Sequence, residues 1–140
     1  MAIKTYLDSS VLINAYNSAP AIVQKVHDLL TDPNRSFIVG DYVFLEIMPK
    51  AYYTKRLDQA AFYADILRKA VFIHSTDAII VKADELATMF GLAALDALHA
   101  ATAIIAHADE LVTFEKPSKP FFRIPHEQLP VLSLYLPHAH

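Results

Sequence analysis

The sequence predicts an α/β fold built on a central, mostly parallel sheet of four to five strands. Two observations predict it. Short β-branched or aromatic runs alternate with helical stretches, the order that parallel strands require because each crossover needs its own helix. The chain has 140 residues, 54% hydrophobic and 19% charged, which suits one sizeable core and excludes a disordered composition. No repeat, low-complexity segment or linker interrupts it, so residues 1–140 are expected to form a single domain.

The elements follow in order. Ile3 to Leu7 is β-branched and aromatic and reads as a strand. Asp8-Ser9-Ser10 resembles a helix N-cap cluster ahead of Val11 to Tyr16. A second helix fits Pro20 to Leu30, with proline in its first turn. Asp32-Pro33-Asn34 is a turn before a strand at Ser36 to Val39, and Gly40-Asp41 opens a helix that Pro49 should bend or end. Gln59 to Lys69 is helical, and Val71 to His74 is a third strand. Ser75-Thr76-Asp77 caps a helix that runs to Phe90, and Gly91 stops it. Ala93 to Ala106, dominated by alanine and leucine, is the most helical stretch. Leu111 to Thr113 is a fourth strand, and Val131 to Ser133 a candidate fifth.

Composition removes several functions. There is no cysteine, so thiolate metal sites, disulfides and a cysteine nucleophile are excluded. The start of the chain lacks a signal-peptide layout, and no run of about twenty apolar residues exists; a cytoplasmic protein with no membrane partner is expected. The formal net charge is −3, which argues mildly against nucleic-acid binding. Two windows nevertheless lack any acid. One carries Lys50, Lys55 and Arg56, the other Lys116, Lys119 and Arg123. They read either as solvated surface or as guides for a phosphate backbone.

The carboxylates are more informative. Asp8 ends the first strand and Glu115 follows the fourth, and in open parallel sheets ligands bind beyond the carboxyl ends of strands. Asp8 also suits a helix cap. Asp96 lies among Leu92, Ala93, Ala94, Leu95, Ala97 and Leu98. A carboxylate in so apolar a setting needs a metal, a basic group or a helix N-terminus to compensate it; a solvent-facing first-turn position is the alternative. Glu46 sits among Val43, Phe44, Leu45, Ile47 and Met48 and is weaker alone. Convergent carboxylates imply bound cations or raised pKa values. Hard oxygen ligands favour Mg²⁺ or Mn²⁺.

These residues together resemble the PIN-domain family, and within it the VapC-type toxins of toxin–antitoxin pairs. Tyr6-Leu7-Asp8-Ser9-Ser10-Val11-Leu12-Ile13 is similar to the family's first strand and acidic motif. Val43-Phe44-Leu45-Glu46-Ile47 resembles the second. Leu95-Asp96-Ala97-Leu98-His99-Ala100-Ala101-Thr102-Ala103 resembles the third and is the most specific. Leu111-Val112-Thr113-Phe114-Glu115 resembles the fourth, with glutamate where the family usually has aspartate. The resemblance implies a three-layer α/β/α fold with a twisted sheet. It implies Mg²⁺ or Mn²⁺ held by Asp8, Glu46, Asp96 and Glu115, and metal-dependent endoribonuclease activity. It also implies an RNA substrate, a cognate antitoxin and a homodimer.

Supporting positions have two readings each. Ser10 and Thr113 either bond a metal ligand or serve as cap and strand end. His99, three residues after Asp96, either orients that carboxylate or is a satisfied histidine in the packing. Tyr52 and Tyr53 either stack on unpaired bases or pack. His138 and His140, at the chain end, carry no weight as a metal site. A catalytically weakened module of the same fold is the first rival. A phosphatase is the second, but Gly40 and Gly91 are the only glycines, too few for a phosphate-cradling loop.

Overall fold

A computed structural model describes residues 1–16 and 18–137; His138 and His140 lie outside the described residues. The strands are β1 (Ile3–Leu7), β2 (Arg35–Gly40), β3 (Val71–Ile73), β4 (Glu110–Thr113) and β5 (Val131–Ser133). They form one five-stranded sheet in the order β3-β2-β1-β4-β5, and every neighbouring pair is parallel. The crossovers carry α1 (Ser9–Asn14), α2 (Pro20–Leu30), α3 (Asp41–Tyr53), α4 (Leu57–Lys69), α5 (Asp77–Phe90) and α6 (Ala94–Ile105). The expected three-layer α/β/α architecture is the one observed. The chain steps one way from β1 through β2 to β3, then back past β1 to β4. Right-handed crossovers therefore place α1–α4 on one face and α5–α6 on the other.

Because both faces are covered, Thr5, Tyr6 and Leu7 of β1 and all of β4 are buried. The core joins Val11 and Leu12 of α1, Val39 of β2, Val112 of β4 and the alanines 97, 100 and 101 of α6. Those small side chains let α6 lie close to the sheet. Gly40 has a specific reason at the end of β2: a Cβ there would meet the Ile73 carbonyl oxygen at 2.6 Å.

Element ends agree with local chemistry. Thr76 Oγ1 accepts the Ile79 N–H at 3.3 Å and caps α5, and Gly91 ends it in the left-handed region at φ 70°. Of the two expectations for Pro49, to bend or to end its helix, the second does not hold, because α3 continues through it to Tyr53. Proline removes the hydrogen bond to the Leu45 carbonyl. Leu45 and Pro49 are both exposed, so water replaces that bond, while buried Ile47, Met48 and Ala51 hold the helix on the core.

At the amino ends of the strands, Glu110 is a buried acid with full compensation. It accepts from Thr5 Oγ1 at 2.6 Å and from Arg35 Nε at 2.9 Å. The contrast with the opposite end of the sheet matters below. No helix of the described residues is long and apolar enough to cross a membrane.

Candidate metal centre

Strand order reverses between β1 and β4, so their carboxyl ends border a crevice. Asp8 leaves β1 directly into it, with its N–H donating to the Val112 carbonyl at 3.0 Å. It is the N-cap residue of α1, but its side chain caps nothing. Oδ2 instead accepts hydrogen bonds from Ser10 Oγ at 2.8 Å and Thr113 Oγ1 at 2.7 Å, and Oδ1 accepts none. Ser10 and Thr113 are thus more than a cap and a strand end. Each hydroxyl oxygen also receives a backbone N–H, from Phe114 and Glu115 respectively, which knits the exit of β4 to the start of α1.

Glu46 reaches the same place from α3. Its Oε1 accepts from Ser9 Oγ at 2.5 Å and from His99 Nε2; Oε2 accepts no hydrogen bond. Each of these carboxylates therefore has one oxygen clamped and one unengaged. Burial pushes the Glu46 carboxyl up, but the hydrogen bonds from His99 and Ser9 outweigh it and hold it below its ordinary value. His99 is only 1% exposed, and its Nδ1 lies 2.8 Å from the Tyr6 hydroxyl. Burial, then the charges of Asp8 and Glu46, push the Tyr6 phenol well above its ordinary range, so Tyr6 keeps its proton. A carboxylate only accepts, so Nε2–H donates to Glu46. His99 is satisfied at both ring nitrogens. It orients Glu46 rather than Asp96, and it stands 3.6 Å from Asp8 Oδ1.

Asp96 enters on the first turn of α6, half-buried. Its carboxyl is pushed up to about 6 by burial and then by the charges of Asp8 and Glu115, with His99 opposing and Glu46 adding. Asp8, Glu46, Asp96 and Glu115 are therefore within electrostatic reach of one another. Asp8, Glu46 and His99 bring ligand atoms within 4.8 Å of one another; Asp96 and Glu115 do not join that tighter group. Glu115 is half-buried, with Lys116 beside it turned over the Tyr135 ring at 5.5 Å.

The donor set fits a hard divalent cation. Among the described residues no lysine or arginine pairs with Asp8, Glu46, Asp96 or Glu115, whereas Glu110 has Arg35. The Asp96 and Glu115 carboxylates accept no hydrogen bond there either. Two unpaired carboxylates about 4 Å apart repel by about 1–4 kcal/mol, which a bound cation or a raised pKa relieves. Sequence reasoning missed Ser9 and Tyr6. A hydroxyl directly after Asp8 was a visible signal for Ser9; nothing local marks Tyr6, whose partner is 93 residues away.

A parallel α/β sheet with acids gathered at its switch point belongs to the class of open α/β folds that bind ligands at that crevice. Within that class, a family model for the PIN domain matches residues 5–119, and the chain belongs to the PIN-domain family. No curated protein sequence matches it. Solved structures of the same fold include a toxin–antitoxin complex from Klebsiella pneumoniae, at 22% identity and a TM-score of 0.71, covering 94% of this chain and 98% of that one. VapBC2 from Rickettsia felis, bound to a DNA fragment from its promoter, aligns at 22% identity and 0.70 over the same shares. DNA-bound VapBC from Salmonella typhimurium aligns at 14% and 0.68, again over 94% and 98%.

Proposed function

We propose that residues 1–140 are one nuclease unit, a Mg²⁺- or Mn²⁺-dependent endoribonuclease that acts as the toxin of a toxin–antitoxin pair. The observation that carries this reading is a group of buried and half-buried carboxylates with no lysine or arginine partner among the described residues, in a chain of the PIN family. Asp8, Glu46, Asp96 and Glu115 hold the ion, directly or through water, with Mg²⁺ or Mn²⁺ suited to all-oxygen ligands. Such an ion, when bound, polarises a phosphoryl oxygen and lowers the pKa of water.

The remaining work falls to the chain. Ser10 and Thr113 fix Asp8; Ser9 and His99 fix Glu46; each leaves one oxygen aimed away from its clamp. Lys50, Lys55, Arg56, Lys116 and Lys119 offset the negative crevice for an RNA backbone. Phe44, Leu45, Tyr52, Tyr53 and Leu57 form an exposed apolar stretch on α3 and α4 that suits a second copy of the chain or an antitoxin. The neighbouring structures are toxin–antitoxin assemblies by their descriptions, which supports such a partner.

The test is cleavage of unpaired RNA of mixed sequence by the chain freed of any partner. Cutting is expected with Mn²⁺ or Mg²⁺ and not in chelator. Asp96→Asn should reduce it at least about a hundredfold, since several kcal/mol of charge stabilisation depend on the ion. Cleavage that ignores chelator, or survives Asp96→Asn, removes the mechanism. A well-folded parent that cuts no RNA with either ion leaves the binding-module reading in its place.

A further inference from the structure

A cavity of about 290 Å³ opens directly beside Glu46, between the end of α1, the outer turns of α3 and the start of α4. Its wall includes Tyr16, Lys50, Arg56, Gln59 and Tyr63. The volume lies at the small end of the roughly 300–1,000 Å³ range of ligand pockets, so it suits one nucleoside-sized group rather than a folded surface. We infer that this cavity receives the base of the nucleotide next to the scissile phosphate, an unpaired ribonucleotide, with Lys50 and Arg56 on its phosphate. This rests on the nuclease reading above and deepens it.

Three features support it. First, the cations are uncommitted. Glu46 and Lys50 are spaced i,i+4 on α3, where an ion pair would be ordinary. None forms, because Glu46 turns to Ser9 and His99. Lys50 and Arg56 are exposed and have no ion-pair partner among the described residues. Lys50, one helical turn from Glu46, and Arg56 on the same cavity wall answer the repulsion that a polyanion would meet there.

Second, the wall contains a braced ring. Tyr16 leans on Phe62 with centroids 5.9 Å apart and planes at 43°. It is half-exposed, so an aromatic surface is held in place before any ligand arrives. Unpaired bases are recognised by stacking on such rings combined with cation contacts to the backbone.

Third, the wall contains an amide with unspent capacity. Gln59 Nε2 lies 2.6 Å from the Tyr63 hydroxyl, while Gln59 Oε1 is buried with no partner among the described residues. Whichever way the amide is turned, one polar end lacks a protein partner. Leaving such a group buried and unpaired is costly. A small rotation of the side chain toward the cavity lets it pair with a base edge. Cations, a ring and a hydrogen-bonding amide in one recess match an unpaired nucleotide better than an apolar peptide segment.

The test separates the cavity from the chemistry. The full chain carrying Asp96→Asn is titrated against fluorescent unpaired decaribonucleotides, intact or lacking one base at a time. Removing one particular base should weaken binding about tenfold, the lower end of what a stacked base contributes. Tyr16→Leu, which deletes the stacking ring, should abolish most of that penalty, and Gln59→Leu, which deletes the unpaired amide at similar volume, should reduce it. Arg56→Gln should weaken intact and abasic oligomers alike. Thermal melting checks that each variant is folded. A flat profile across abasic positions, or an undiminished penalty in folded Tyr16→Leu or Gln59→Leu, overturns the proposal and leaves the cavity to a protein segment. Cleavage by the parent chain is scored separately. If it cuts RNA while the profile is flat, the nuclease stands and the cavity assignment falls. If it cuts nothing, the nuclease falls and the binding profile still decides the cavity.

Discussion

Asp96 is held with its carboxyl near 6, against an ordinary 3.8, and this has a consequence for stability. Between those values the folded chain keeps a proton that the unfolded chain releases. Stability therefore falls as pH rises through that window, and above it the folded chain carries an ionised Asp96 against its neighbours. Asp96→Asn removes the charge at nearly constant shape. Without divalent metal it should raise the melting temperature by roughly 3–6 °C at pH 7.5, after discounting for solvent screening, and by little at pH 4. Millimolar Mn²⁺ should stabilise the parent more than the variant. An equal gain at both pH values would show that repulsion is not the cause. Tyr6→Phe tests the other side of the centre. It leaves His99 Nδ1 buried without its 2.8 Å partner and should cost about 1–3 kcal/mol in urea unfolding. A loss within error would mean that the Tyr6–His99 bond does not support Glu46.

The helices matter through their starting points. Glu46 faces Asp8 because α3 begins at the end of β2, and β2 ends on Gly40 against the Ile73 carbonyl. Gly40→Ala places a methyl carbon 2.6 Å from that oxygen, so β2 and β3 must part. The expected loss is about 1–3 kcal/mol by urea unfolding, with weaker Mn²⁺ binding because α3 shifts. Normal stability in this variant would show that the strand ends move freely. The element types along the chain were legible because each helix and strand has its own period and punctuation. The continuation of α3 past Pro49 was not. A proline inside a helical run is normally a break, and only the contacts of Ile47, Met48 and Ala51 with the core override it.

The whole molecule exposes large apolar side chains beside its 12 basic and 15 acidic residues: Tyr53 is 89% exposed and Leu57 64%. If a second copy covers this surface, light scattering of partner-free chain at micromolar concentration should give twice the mass of one chain. Tyr53→Ser with Leu57→Ser should return it to one. A single-chain mass for the parent leaves that surface to the antitoxin alone. Charge is distributed rather than summed. The net −3 conceals an acidic crevice and a cavity beside it lined by Lys50 and Arg56, so the total does not describe the local charge.

The sequence by itself determined the order and kind of the elements and the parallel class of the sheet, because periodicity and capping are local properties; of the four proposed acidic ligands it singled out Asp96 by its apolar setting and Asp8 and Glu115 by their strand ends, and Glu46 mainly by the family resemblance. Tertiary structure decided which oxygen of Asp8 and of Glu46 is clamped and by what. Ser9, Ser10, Tyr6, His99 and Thr113 come from four different elements and act across separations of up to 105 residues, and such distant pairings leave no local signature. It also decided that Glu46, weak when read along the chain alone, is held, like Asp8, by two hydrogen bonds. Its neighbours in sequence are apolar, but its neighbours in space are a hydroxyl and an imidazole, and these fix a carboxylate.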